Sequence, residues 1–147
     1  MSKFVLRYFF EYGAGGCLWA ANEETREKLG SGPVDSACYD QEGRVTLEPR
    51  VALSDVARSL RDVLDFEHSG YLNPIYPPDP SLWTQDLCER FNLGVDQLLE
   101  LLRQELGSEY EIQDEQLRLA EDPELGEYLD SHPELSAIEN VANPTVR

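Results

Sequence analysis

The stretch from about residue 82 to 106 constrains this chain more than any other. Leu87, Phe91, Val95, Leu98, Leu102 and Leu106 recur at steps of three and four, and Cys88, Leu99 and Leu101 widen the same stripe. That spacing predicts one long amphipathic helix. Breakers bracket it: Pro74, Pro77, Pro78 and Pro80 lie upstream, and Gly107 follows as a typical C′ residue. Gly94 interrupts the stripe at a cost of about 1 kcal/mol against Ala, which predicts a close helix–sheet contact there.

The surface that covers this helix is sought in the N-terminal half. Residues 3–12 read as a strand, with Phe4, Leu6, Tyr8, Phe10 and Tyr12 on one face and Val5, Arg7, Phe9 and Glu11 on the other. Gly13-Ala14-Gly15-Gly16 supplies the freedom of a hairpin turn, and residues 17–21 read as the returning strand. Asn22 is a good N-cap for a short helix that the Gly30–Pro33 cluster ends. Residues 34–39 and 44–48 are weaker strands around a turn at 40–43. Ser54 caps a helix over roughly 55–67, whose expected apolar stripe is Val56, Leu60, Val63 and Leu64.

After Gly107, Tyr110 and Ile112 alternate with Glu109, Glu111 and Gln113, the pattern of a half-buried strand. Leu117 and Leu119 fit either its continuation or a returning hairpin strand. Asp122-Pro123 and Ser131-His132-Pro133-Glu134 read as two short helix starts. The predicted architecture is α+β. A mainly antiparallel sheet packs one face against one long and one shorter helix, with short C-terminal helices outside. Residues 1–119 form the compact domain, and residues 120–147 form an acidic helical extension on or beside it.

Charge narrows the function. The chain has 29 Asp and Glu against 12 Lys and Arg, a net charge of −17. Nucleic-acid binding needs clustered Lys and Arg, and an anionic membrane surface repels such a chain. Neither is an expected partner. The charge is also uneven. Residues 109–147 hold 11 acids against Arg118 and Arg147 alone. No apolar run is long enough to span a bilayer, and Arg7 and Glu11 interrupt the start too early for a secretory signal. The three cysteines Cys17, Cys38 and Cys88 have neither disulfide-framework nor zinc spacing. A cytoplasmic protein with free thiols is the expectation, with no metal and no cofactor.

Motifs for chemistry are sparse. The glycines at 13–16 lack the third glycine and the lysine of a phosphate loop. His68, close to Asp65 and Glu67, is the better placed of two histidines, yet no nucleophile accompanies it locally and its position suits a helix C-terminus. The acids at 109–115 lack the central glycine of a calcium loop. No catalytic residue is assigned. Aromatic residues flank the proline-rich stretch, and a stiff connection carrying them is what a binding patch looks like. The leading expectation is therefore an acidic protein-interaction module, an inhibitor or immunity-type partner of a basic protein. Its candidate contacts are Tyr71, Tyr76, Trp83, Glu109, Glu111, Asp114 and Glu115. The alternative is a small enzyme or ligand-binding protein with a pocket between sheet and long helix. That pocket would use His68 and Cys88, with Glu11 or Glu111 as the acid.

Overall fold

A computed structural model describes residues 4–139. Within them the order is β1 (Phe4–Tyr8), β2 (Leu18–Ala20), α1 (Glu23–Leu29), β3 (Cys38–Tyr39), β4 (Val45–Leu47), α2 (Asp55–Ser69), α3 (Gln85–Leu106), β5 (Tyr110–Asp114) and α4 (Leu125–Ser131). The fold is mixed α+β. α3 starts at Thr84, whose side chain accepts a bond from the Leu87 N–H, and it buries Leu87, Cys88, Phe91, Val95, Leu98, Leu102 and Leu106. α1 and α2 are capped by Asn22 and Ser54 in the same way.

The central sheet is mixed, which corrects the mainly antiparallel expectation. Its order is β2-β1-β5. β1 pairs antiparallel with β2 but parallel with β5, Leu6 standing opposite Ile112. A parallel neighbour needs a long crossover, and here everything from β2 to α3 provides it. The Tyr8 hydroxyl donates to the Val95 carbonyl at 2.9 Å and ties the sheet to α3. β3 and β4 form a separate ribbon.

Two faces of the reading are corrected by packing. Gly94 does permit a close approach, but to α2: a Cβ there would stand 2.8 Å from Leu64 Cδ2. α2 turns Ala57, Arg61, Leu64 and His68 inward and leaves Val56 and Val63 exposed. The cause is a buried polar cluster. Asp35 accepts bonds from the Cys17 and Leu18 N–H groups, and Arg61 reaches both its carboxylate (3.2 Å) and its carbonyl (2.5 Å). Only a glycine fits at position 16, because a Cβ would meet Asp35 Oδ1 and Pro33 Cβ at 2.7 Å.

The C-terminal part also differs. α4 forms, but residues 133–139 are not helical, so the second short helix is absent among the described residues. Ile138 instead pairs in parallel with Trp83: its N–H donates to Leu82 O at 2.7 Å and its carbonyl accepts from the Thr84 N–H. A chain whose backbone groups are used across a bridge has none left for a helical turn. Residues 117 and 119 join no strand. Leu117 is exposed, and Leu119 is fixed by Asn92, whose amide both donates to and accepts from its backbone at 2.8 Å. Residues 140–147 lie outside the described residues.

Candidate functional site

Two surfaces collect the candidate residues. The first is a cleft of about 580 Å³ beyond the C-terminal ends of β1 and β5. Its walls are the segment after β1 (Phe10, Glu11, Tyr12), the last turn of α2 (His68) with Tyr71, and residues 115–120. The interface between the sheet and α3, where the pocket was expected, is filled by side chains. His68, Tyr71 and Glu115 all line this cleft. Cys88 does not line it and is fully buried.

Most polar groups of the cleft are already engaged. Arg7 pairs with Glu115 at 2.7 Å. Gln116 accepts from the Phe10 N–H and donates to Leu117 O, holding the two walls together. His68 is different. Its ring stacks on Tyr12 at 4.4 Å, and its Nδ1 is enclosed with no partner among the described residues. Burial pulls its pKa below the ordinary histidine value, against the pull of Glu11, so the ring is neutral near pH 7. Thiol chemistry has no support here. Burial pushes Cys88 up to about 11, and burial together with the Asp35 carboxylate raises Cys17 well above its usual value. Protonated thiols are poor nucleophiles. No group of three metal-ligating side chains occurs among the described residues.

The second surface is the proline-rich loop with the segment after it. Four prolines fix the backbone locally, and Asn73 holds the loop from inside. Its amide donates to Pro80 O at 2.8 Å, and its oxygen accepts from the Ile75 and Tyr76 N–H groups. Asn73 is itself buried, and the Ser81 hydroxyl bonds to Tyr71 O. The result holds Ile75 and Tyr76 outward, 62% and 57% exposed. The Asn73-Pro74 dipeptide is a turn signal that sequence reading can use, and it marks this pin.

Trp83 is the correction at this surface. It is fully buried, its indole N–H donates to Gly70 O at 3.1 Å, and Tyr71 and Phe91 pack edge-on against it. It supports the loop from beneath. Beside the loop, Pro80, Glu124, Glu127, Tyr128, Ser131 and His132 line a notch of about 260 Å³.

The acids named as candidate contacts are largely paired. Glu109 bonds to Lys28, Asp114 shares Arg118 with Asp96, and Glu115 holds Arg7. Glu111 stands exposed on β5. The surplus lies further on: residues 120–139 carry seven acids and neither Lys nor Arg. None of the seven is buried. No family model, no curated protein and no solved structure matches the chain. No helix among the described residues is long and apolar enough to cross a membrane.

Proposed function

We propose that the protein is an acidic interaction module that captures a basic protein partner, acting as an inhibitor or immunity-type mask of that partner. The observation that carries this reading is the pinned loop. It presents Ile75 and Tyr76 to solvent beside a segment whose charge is all of one sign. Fixed apolar side chains cost little entropy on binding and serve as anchors. Unpaired carboxylates around them steer a cationic partner and raise its on-rate by about 10–10³. The notch with Glu124, Glu127 and the Tyr128 ring suits a guanidinium or ammonium head. The test is retention of a basic protein from host lysate on the immobilised chain. Retention at low salt, release at high salt and loss in an Ile75→Ser/Tyr76→Ser variant are expected. If no basic protein is held at low salt, the reading fails.

One observation favours a second reading, a small-ligand site in the cleft: the enclosed Nδ1 of His68 has no partner among the described residues. A bound ligand that satisfies it would shift the His68 ring resonances in an NMR titration. A broad panel of small polar aromatic compounds that leaves those resonances unmoved counts against this reading.

A further inference from the structure

α2 carries two stripes, and the more apolar one faces outward. The inner stripe, Ala57, Arg61, Leu64 and His68, contains two polar side chains. The outer stripe is Val56, Leu60 and Val63, spaced i, i+4, i+7, with Leu60 half-buried at the edge of the core. Val56 is 67% and Val63 53% exposed. α3 runs antiparallel alongside, since Ser54 bonds to Glu105 at one end and Leu64 meets Gly94 further along. The missing side chain at Gly94 brings the helices close. Between them Val56, Leu60, Gln97, Glu100, Leu101 and Gln104 line a groove of about 460 Å³. Exposed Leu93 stands next to the crossing.

We propose that this α2–α3 groove docks a cationic amphipathic helix of the partner protein. The proposal rests on reading the chain as a receptor for a basic partner, but uses a surface separate from the loop. Three arguments select the occupant. Both walls are helices with their backbone groups already bonded, so the occupant must satisfy its own backbone, as a helix does and a strand does not. The stripe from Val56 to Val63 is about 10 Å long, matching the i, i+3/i+4, i+7 anchors of a docked helix. Glu100 is the one charged side chain lining the groove, and no Lys or Arg lines it. A second copy would bring a net charge of −17 to meet −17, which opposes self-association. A basic helix is attracted instead.

The experiment uses the full chain and a fluorescein-labelled Leu/Lys peptide of about 15 residues patterned as an amphipathic helix. The comparison peptide has the same composition with its leucines spread around the helix. Anisotropy titration is expected to show the patterned peptide binding about tenfold or more tighter than the permuted one. Val56→Asp/Val63→Asp is expected to weaken the patterned peptide by about tenfold. Those substitutions add negative charge, so bare electrostatic attraction predicts the opposite sign. Val56→Ser/Val63→Ser gives the same test in a milder form if the Asp variant unfolds. Ile75→Ser/Tyr76→Ser should bind the peptide like the parent. Its loss of the lysate partner tests the loop reading separately. Equal binding of the two peptides, or unchanged binding by both Val56/Val63 variants, overturns the proposal. So does a parent dimer in sedimentation equilibrium that the Ser variant dissociates, because the occupant is then a second copy.

Discussion

Asp35 and the acids of residues 120–139 are chemically alike and structurally opposite. Asp35 is enclosed, with Cys17 N–H, Leu18 N–H and Arg61 all directed at its carboxylate. Glu124, Glu127, Asp130 and Glu134 are exposed, in a stretch without one Lys or Arg. The first kind of acid organises the fold: it holds the start of β2, draws α2 inward through Arg61 and dictates a glycine at position 16. The four exposed acids make no ion pair among the described residues and leave their field to the solvent, while the carboxylates of Glu121 and Asp122 bond only to backbone N–H groups. Net charge alone hides this division of labour.

The comparison is broken most severely at the buried end. Asp35→Ala leaves the Arg61 guanidinium, nearly as enclosed, with the exposed Asp62 as its remaining counter-charge. Removing one partner of a buried pair costs about 3–5 kcal/mol, read as a fall in the urea midpoint with an unchanged slope. Arg61→Met added to Asp35→Ala should restore part of that loss, because it removes a buried charge left with only the solvent-exposed Asp62 opposite it. Strict additivity of the two substitutions would mean that they do not act as a pair. Gly16→Ala tests the same cluster sterically. Its Cβ would meet Asp35, Pro33 and Ser36 within 2.9 Å, an overpacking expected to cost about 1–3 kcal/mol.

His68 gives a smaller, pH-dependent effect. Its folded pKa lies below the unfolded value because burial disfavours the imidazolium. The unfolded chain therefore binds the proton first as pH falls. Stability should decline from about pH 6.5 down towards the lowered folded pKa, and be insensitive to this group above that window. The check is a difference: urea midpoints of the parent and of His68→Gln, measured from pH 7.5 to 5. The variant should show a shallower decline. Parallel curves would show that His68 does not carry it.

These effects also explain which parts of the fold are legible in the sequence. α3 is legible because its period of three and four is local and its breakers are adjacent. The strand alternation of residues 4–8 and 110–114 is legible for the same reason. Which face of α2 turns inward is not. Val56, Leu60 and Val63 look like a core stripe, but Arg61 is drawn in by Asp35, 26 positions away. The parallel pairing of β1 with β5 spans a similar gap in knowledge, since register between distant strands leaves no mark on either one. At the candidate site, Tyr76 is legible as a loop aromatic. Trp83, seven residues on, reads the same from local pattern but lies in the core, because the loop folds back over it.

The smallest stability effect is expected where the charge is densest, and it sharpens the comparison from the other side. Glu127→Gln and Asp130→Asn remove two charges from exposed positions without touching the core. Surface substitutions of this kind stay within about 0.5 kcal/mol, so the urea midpoint should hardly move. If anything it rises, because fewer like charges repel within residues 120–139. The same pair should lower the association rate of the basic partner and flatten its salt dependence, since long-range steering is screened over about 10 Å at 0.1 M salt. Stopped-flow association at two ionic strengths separates the outcomes. An unchanged midpoint with slower, less salt-sensitive association assigns these acids to partner capture. An unchanged midpoint with unchanged association assigns their charge to solvation of the protein itself, and leaves the apolar surfaces to make the contact.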